Sequence, residues 1–124
     1  MTKKELRAIM QIYSKIKKQV ERRDSEAKIL RYGKQKHIII PEWALKLPTF
    51  IDEVIKEEKN QMLTEMISKR LFEGKTDKTV MSELPISEST YYRYKQKFEE
   101  KIYQLYIELG YVTREEILRT KITE

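Results

Sequence analysis

Residues 76–110 read TDKTVMSELPISESTYYRYKQKFEEKIYQLYIELG. Thr76-Asp77 supplies a helix start, and Val80, Met81 and Leu84 give the short helix that follows an apolar side. Pro85 stops that helix, because it lacks a backbone N–H and disfavours helix in the residue before it. Ser87 caps the next helix by accepting a bond from an otherwise unpaired N–H of its first turn. Tyr91, Tyr94, Phe98, Ile102, Leu105 and Leu109 then recur at intervals of three or four, which places them on one helix face. Gly110 provides the C-terminal stop. A short helix, a tight turn and a long second helix with a polar, basic start form the pattern of a helix-turn-helix. In that motif the second helix enters the DNA major groove N-terminus first.

The candidate DNA-binding residues follow from helix geometry. Ser87 caps the recognition helix, whose first-turn N–H groups can hold a phosphate. Glu88, Ser89, Tyr92, Arg93 and Gln96 project from its start toward base edges, and Thr90 completes the set. Arg93 suits guanine O6/N7, Gln96 adenine, and Glu88 cytosine N4. Lys75, Lys78, Lys95 and Lys97 are placed for phosphates, which position the protein without specifying sequence. Tyr91, Tyr94 and Phe98 read as structural. The plainer alternative is a three-helix bundle whose surface Thr90, Tyr92 and Arg93 merely decorate.

The run LPISESTYYRYKQKF (residues 84–98) resembles the second half of the helix-turn-helix in region 4 of bacterial sigma factors. It resembles more closely the small phage late-transcription regulators of the ArpU and RinA type. Those often open the recognition helix with Ser-x-Ser-Thr-aromatic, matched here by Ser87, Ser89, Thr90 and Tyr91. The resemblance implies a phage- or prophage-encoded control of late gene expression, with a sigma-like contact to host RNA polymerase. It covers only the C-terminal motif, and the long segment before it carries no such match.

Composition narrows the classes. The chain has 124 residues, 37% charged and 40% hydrophobic, which suits a helix-rich protein with a modest core. It has no cysteine, so disulfides, thiolate metal sites and cysteine nucleophiles are excluded. No apolar run approaches the roughly 20 residues that span a bilayer, and the charged N-terminus is unlike a signal peptide. A cytoplasmic protein without membrane contact is expected. The net charge of +6 is unevenly placed. Residues 1–37 hold 12 Lys/Arg against 4 Asp/Glu, a net +8, whereas residues 75–110 hold 6 of each. A basic surface attracts nucleic acid through phosphate contacts, although a charge run is equally often a solvated helix face.

Taken from its start, the chain opens with a capping box, Thr2 with Glu5. Leu6, Ile9, Tyr13, Ile16 and Val20 follow at heptad-like spacing, which continues past a polar break at Arg23 to Ala27 and Leu30, unless Arg23-Asp24-Ser25 bends or breaks the helix. The seam reads either as an amphipathic helix packed on its own domain or as a homodimer coiled-coil seam. Residues 32–37 (YGKQKH) read as a polar connector, with Gly33 as a helix stop. Ile38-Ile39-Ile40 reads as extended chain before Pro41. Pro48-Thr49 marks another start. The polar stretch Lys56–Gln61 is either the exposed middle of one long helix or a break between two. A helix over about 62–72 completes the three-helix unit, and Thr113 with Glu116 starts a last short helix that frays over Lys121–Glu124. The expected fold class is therefore all-α: a long basic N-terminal helical or oligomerisation segment (1–48), then a helix-turn-helix domain (49–124).

Nothing here supports an enzyme. There is one histidine, His37, without ligand partners nearby in sequence. The paired carboxylates Glu57-Glu58, Glu99-Glu100 and Glu115-Glu116 are adjacent on helices and so point in different directions. No catalytic residue, metal site or cofactor is expected. Two functions survive: a sequence-specific regulator that engages double-stranded DNA, or a helical assembly protein of the phage small-terminase kind. The second would join helix-turn-helix units to oligomerising helices in a ring.

Overall fold

The computed structural model describes residues 1–123, with side chains described through Leu118. The helices are α1 (Lys3–Glu21), α2 (Leu47–Glu57), α3 (Gln61–Ile67), α4 (Asp77–Glu83), α5 (Glu88–Glu108) and α6 (Arg114–Thr123). A short 3-10 turn, Glu42–Lys46, leads into α2, and a π-helical turn, Ser68–Phe72, extends α3.

The fold is not all-α. Strands β1 (Glu26–Arg31) and β2 (Lys34–Ile39) pair antiparallel as a two-stranded hairpin, where a continuing helix and a polar connector were expected. The N-terminal helix ends at Glu21, nine residues before Leu30, where its spacing ran out, and the chain turns at Arg22–Asp24. Arg23 takes a left-handed φ of 63°. Asp24 N–H donates to the Gln19 carbonyl and Arg23 N–H to the Val20 carbonyl, which is the Schellman closure of a helix end. Beyond it the pattern changes period: Ala27 and Ile29 point inward while Lys28 and Leu30 face out. Ala27 and Leu30, three apart, had imitated a helical step. Tyr32-Gly33 forms the two-residue turn, both with positive φ (53° and 73°), the geometry that matches the twist of paired strands.

Several starts and stops are as expected. Thr2 and Glu5 form the capping box of α1. Thr76 accepts from Thr79 N–H and Ser87 from Thr90 N–H. Gly110 (φ 80°) closes α5. Thr113 and Glu116 bond reciprocally ahead of α6. The stretch Lys56–Gln61 is a break, with the Asn60 side chain accepting from Met62 and Leu63 N–H at the start of α3. Helix α2 begins at Leu47 with no side-chain cap, so Pro48 sits inside its first turn rather than ahead of it. Helix α6 runs to Thr123, so Lys121–Thr123 continue the helix where fraying was expected, and Glu124 lies outside the described residues.

One buried cluster draws on both sides of residue 48, with Leu6, Tyr13 and Ile16 beside Phe50, Ile51, Phe98 and Ile102. The N-terminal seam is thus filled from within: Leu6, Tyr13, Ile16 and Val20 pack in the chain's own core. Helix α5 also turns its core face differently from the expected stripe. Tyr103 and Tyr106 are buried, whereas Leu109 is 58% exposed. Tyr106 donates to the Trp43 carbonyl at 2.7 Å and meets Phe50 edge-on at 4.7 Å. That anchors the C-terminal half of α5 to the segment that leads into α2.

Candidate nucleic-acid interface

Helices α4 and α5 are joined by Leu84-Pro85-Ile86, with Ser87 as the cap. Val80 and Leu84 are buried and Met81 partly so, which fixes the short helix against its neighbours. A single carboxylate ties the unit together. Asp77, in the first turn of α4, accepts from Arg70 Nε at 2.8 Å, from Lys95 Nζ at 3.0 Å and from the Tyr91 hydroxyl. Arg70 lies on the turn after α3, and Tyr91 and Lys95 lie on α5, so three helices converge on one side chain. Burial pushes the Asp77 carboxyl up, but the Tyr91 and Lys95 bonds and the nearby Arg70 charge outweigh it, and the group is held below its ordinary range. Burial, with the Asp77 bond and charge, raises the Tyr91 phenol. The sequence showed Asp77 only as part of a helix start, because a contact from Arg70 across a loop leaves no periodic trace.

The expected DNA-binding residues fall into three groups. Ser87 and Thr90 bond each other: Thr90 N–H donates to Ser87 Oγ at 3.3 Å, and the two hydroxyls lie 2.8 Å apart. Lys75 and Lys95 have their ammonium groups on carboxylates. Lys75 Nζ reaches both Glu83 oxygens at 2.8 Å, which raises its pKa chiefly through that bond, and Lys95 is committed to Asp77. Glu88, Ser89, Tyr92, Arg93, Gln96, Lys97 and Lys78 are exposed. Arg93 lies 5.6 Å from the Tyr94 ring, which leaves its guanidinium edge free to donate.

Two further residues border this face. Arg7 and Gln11 of α1 line an open groove with Tyr92, Lys95, Gln96 and Glu99 of α5. Arg7 Nε meets the largely buried Glu99 at 2.9 Å, and Lys3 Nζ meets Glu100 at 3.2 Å, so ion pairs pin α1 to the middle of α5, next to its exposed start. Sequence spacing does not single out Arg7 or Gln11, because the helix they face is set by the packing of α1 on α5.

Among the described residues, no group of His, Cys, Asp or Glu could hold a metal ion, and no helix is long and apolar enough to cross a membrane. No family model, curated protein or solved structure matches the chain.

Proposed function

We propose that this protein is a sequence-specific regulator that binds double-stranded DNA through the N-terminal turns of α5. The observation that carries this reading is the helix–turn–helix at 77–108. Its geometry is locked by Asp77 from inside, while Glu88, Ser89, Tyr92, Arg93 and Gln96 are left outward on the capped start of the second helix. Locking matters because a recognition helix reads base edges only when its approach angle is fixed by the helices behind it. In this reading Arg93 and Gln96 read bases, and Lys78 and Lys97 touch phosphates. Lys75 and Lys95 hold the unit together. The protein acts as a cytoplasmic binding protein, not an enzyme. The resemblance to the ArpU and RinA regulators makes phage or prophage late-gene control, with host RNA polymerase as partner, the specific form of the proposal. The packaging alternative needs an oligomerising helix, and the seam that suggested one is occupied by the chain's own core.

The test is binding to duplexes selected from a random pool and to scrambled ones, across a salt series. Arg93→Ala should weaken the selected site by roughly 1–3 kcal/mol more than the scrambled one. Lys97→Ala should weaken both alike and lower the salt slope by about one unit. Equal loss on both duplexes for Arg93→Ala would remove it from the groove, and wild-type protein that binds no duplex at all would end the proposal.

A further inference from the structure

The α1 positions Lys4, Ala8, Gln11, Lys15, Lys18 and Arg22 are all exposed, and their spacing of three or four sets them in one straight stripe. The stripe contains four cations and no carboxylate, and it is roughly 27 Å long by the helix rise. Gln11, near its middle, borders the groove that also contains Tyr92 and Gln96, so the stripe passes alongside the recognition face of α5. One turn further on, Lys15 Nζ donates to the Leu30 carbonyl at 3.1 Å, which joins α1 to the hairpin two residues before its Tyr32-Gly33 turn.

The hairpin continues the charge. Lys28, Arg31, Lys34 and Lys36 are exposed on it, and Tyr32 stands 88% exposed at the turn with the Arg31 guanidinium 5.3 Å from its ring. The acids of this region are already matched: Glu21 by Lys17, Asp24 by Arg22, Glu26 by His37 at 2.6 Å. Among the described residues none of them pairs with Lys18, Lys28, Lys34 or Lys36. A basic track of this length, of whose α1 cations only Arg22 is paired with a carboxylate among the described residues, and which runs beside a recognition helix, is complementary to a phosphodiester backbone, which presents a charge about every 3.4 Å along each strand.

We infer that α1 and the β-hairpin form a second DNA-contacting surface, which follows the phosphate backbone of the duplex beyond the segment read by α5. This rests on the reading of α5 as a recognition helix and adds the part of the duplex that the rest of the chain engages. Contacts of this kind supply affinity and salt dependence but no base preference. The surface therefore has a signature separate from that of Arg93.

The experiment compares full-length wild type with the triple variant Lys18→Gln, Lys34→Gln, Lys36→Gln on selected and scrambled duplexes of about 30 base pairs, over a salt series. A control, Lys46→Gln, Lys56→Gln, Lys59→Gln, removes the same charge from exposed positions around α2. The hairpin–α1 variant should lose at least tenfold in affinity on both duplexes and roughly three units of salt slope, with the selected-to-scrambled ratio unchanged. The control should retain most of its slope. Lys34→Gln alone should lower the slope by about one unit, which keeps the test intact if the triple variant folds poorly. An unchanged slope, or equal losses in both triple variants, overturns the inference while leaving α5 as the reading helix. Wild type that binds neither duplex overturns both.

Discussion

Replacing Asp77 by alanine removes the side chain on which α3, α4 and α5 converge, and its cost can be worked from the contacts. Two charged partners lose their carboxylate, Arg70 at 2.8 Å and Lys95 at 3.0 Å. All three side chains are partly buried, at 15%, 25% and 22% exposure for Arg70, Asp77 and Lys95. Exposed pairs contribute about 0–1 kcal/mol, and breaking a buried one costs about 3–5, so about 1 kcal/mol for each pair is the reasoned value here. The Tyr91 hydroxyl, left without its acceptor, adds about 1 kcal/mol, and loss of a first-turn carboxylate from α4 about 0.5. The total is about 3.5 kcal/mol. For a chain of this length that corresponds to a fall in Tm of roughly 14 °C by circular dichroism.

The pH dependence gives an independent check. The folded-state carboxyl is held below its ordinary value of 3.8, so its stabilisation is present in full above that value and is lost as pH falls through the lower folded-state value. The gap between wild type and Asp77→Ala should therefore be constant near neutrality and narrow below a pH of about 4. Tyr91→Phe in a double-mutant cycle with Asp77→Ala should show a coupling of at least about 0.5 kcal/mol. A Tm change under about 3 °C, or a gap that stays the same from neutrality into the acid range, would refute the clamp.

Two other substitutions probe the fold. Tyr32→Asn should stabilise the protein by about 0.5–1 kcal/mol in urea, because Asn tolerates the left-handed conformation that Tyr32 adopts at φ 53° and Asn-Gly favours this turn; a loss of stability would contradict the hairpin geometry. Ile16→Asp buries a charge in a fully enclosed site, and should cost at least about 4 kcal/mol and leave the chain largely unfolded, as read by circular dichroism, rather than dissociate an assembly. A well-folded variant with native helicity would place Ile16 at a surface.

What the sequence determined by itself lies within one helical turn. The caps at Thr2, Thr76, Ser87 and Thr113 and the stop at Gly110 each depend on a side chain or a positive φ acting on backbone groups two to five residues away. The helix-turn-helix order around Pro85 was legible for the same reason. What only the tertiary structure decided involves partners distant in the chain. Ala27, Ile29 and Leu30 fit a helix or a strand by spacing alone, and β1 exists because β2 and α1 lie beside it. Leu109 completed an apolar stripe, but the packing of Tyr106 on Phe50 and Trp43 set the rotation of α5 and left Leu109 outside. Lys95 and Lys97 look alike in sequence. One is drawn onto Asp77 and the other left at the surface, because the position of a carboxylate 18 residues earlier in the chain is fixed only when the three helices pack.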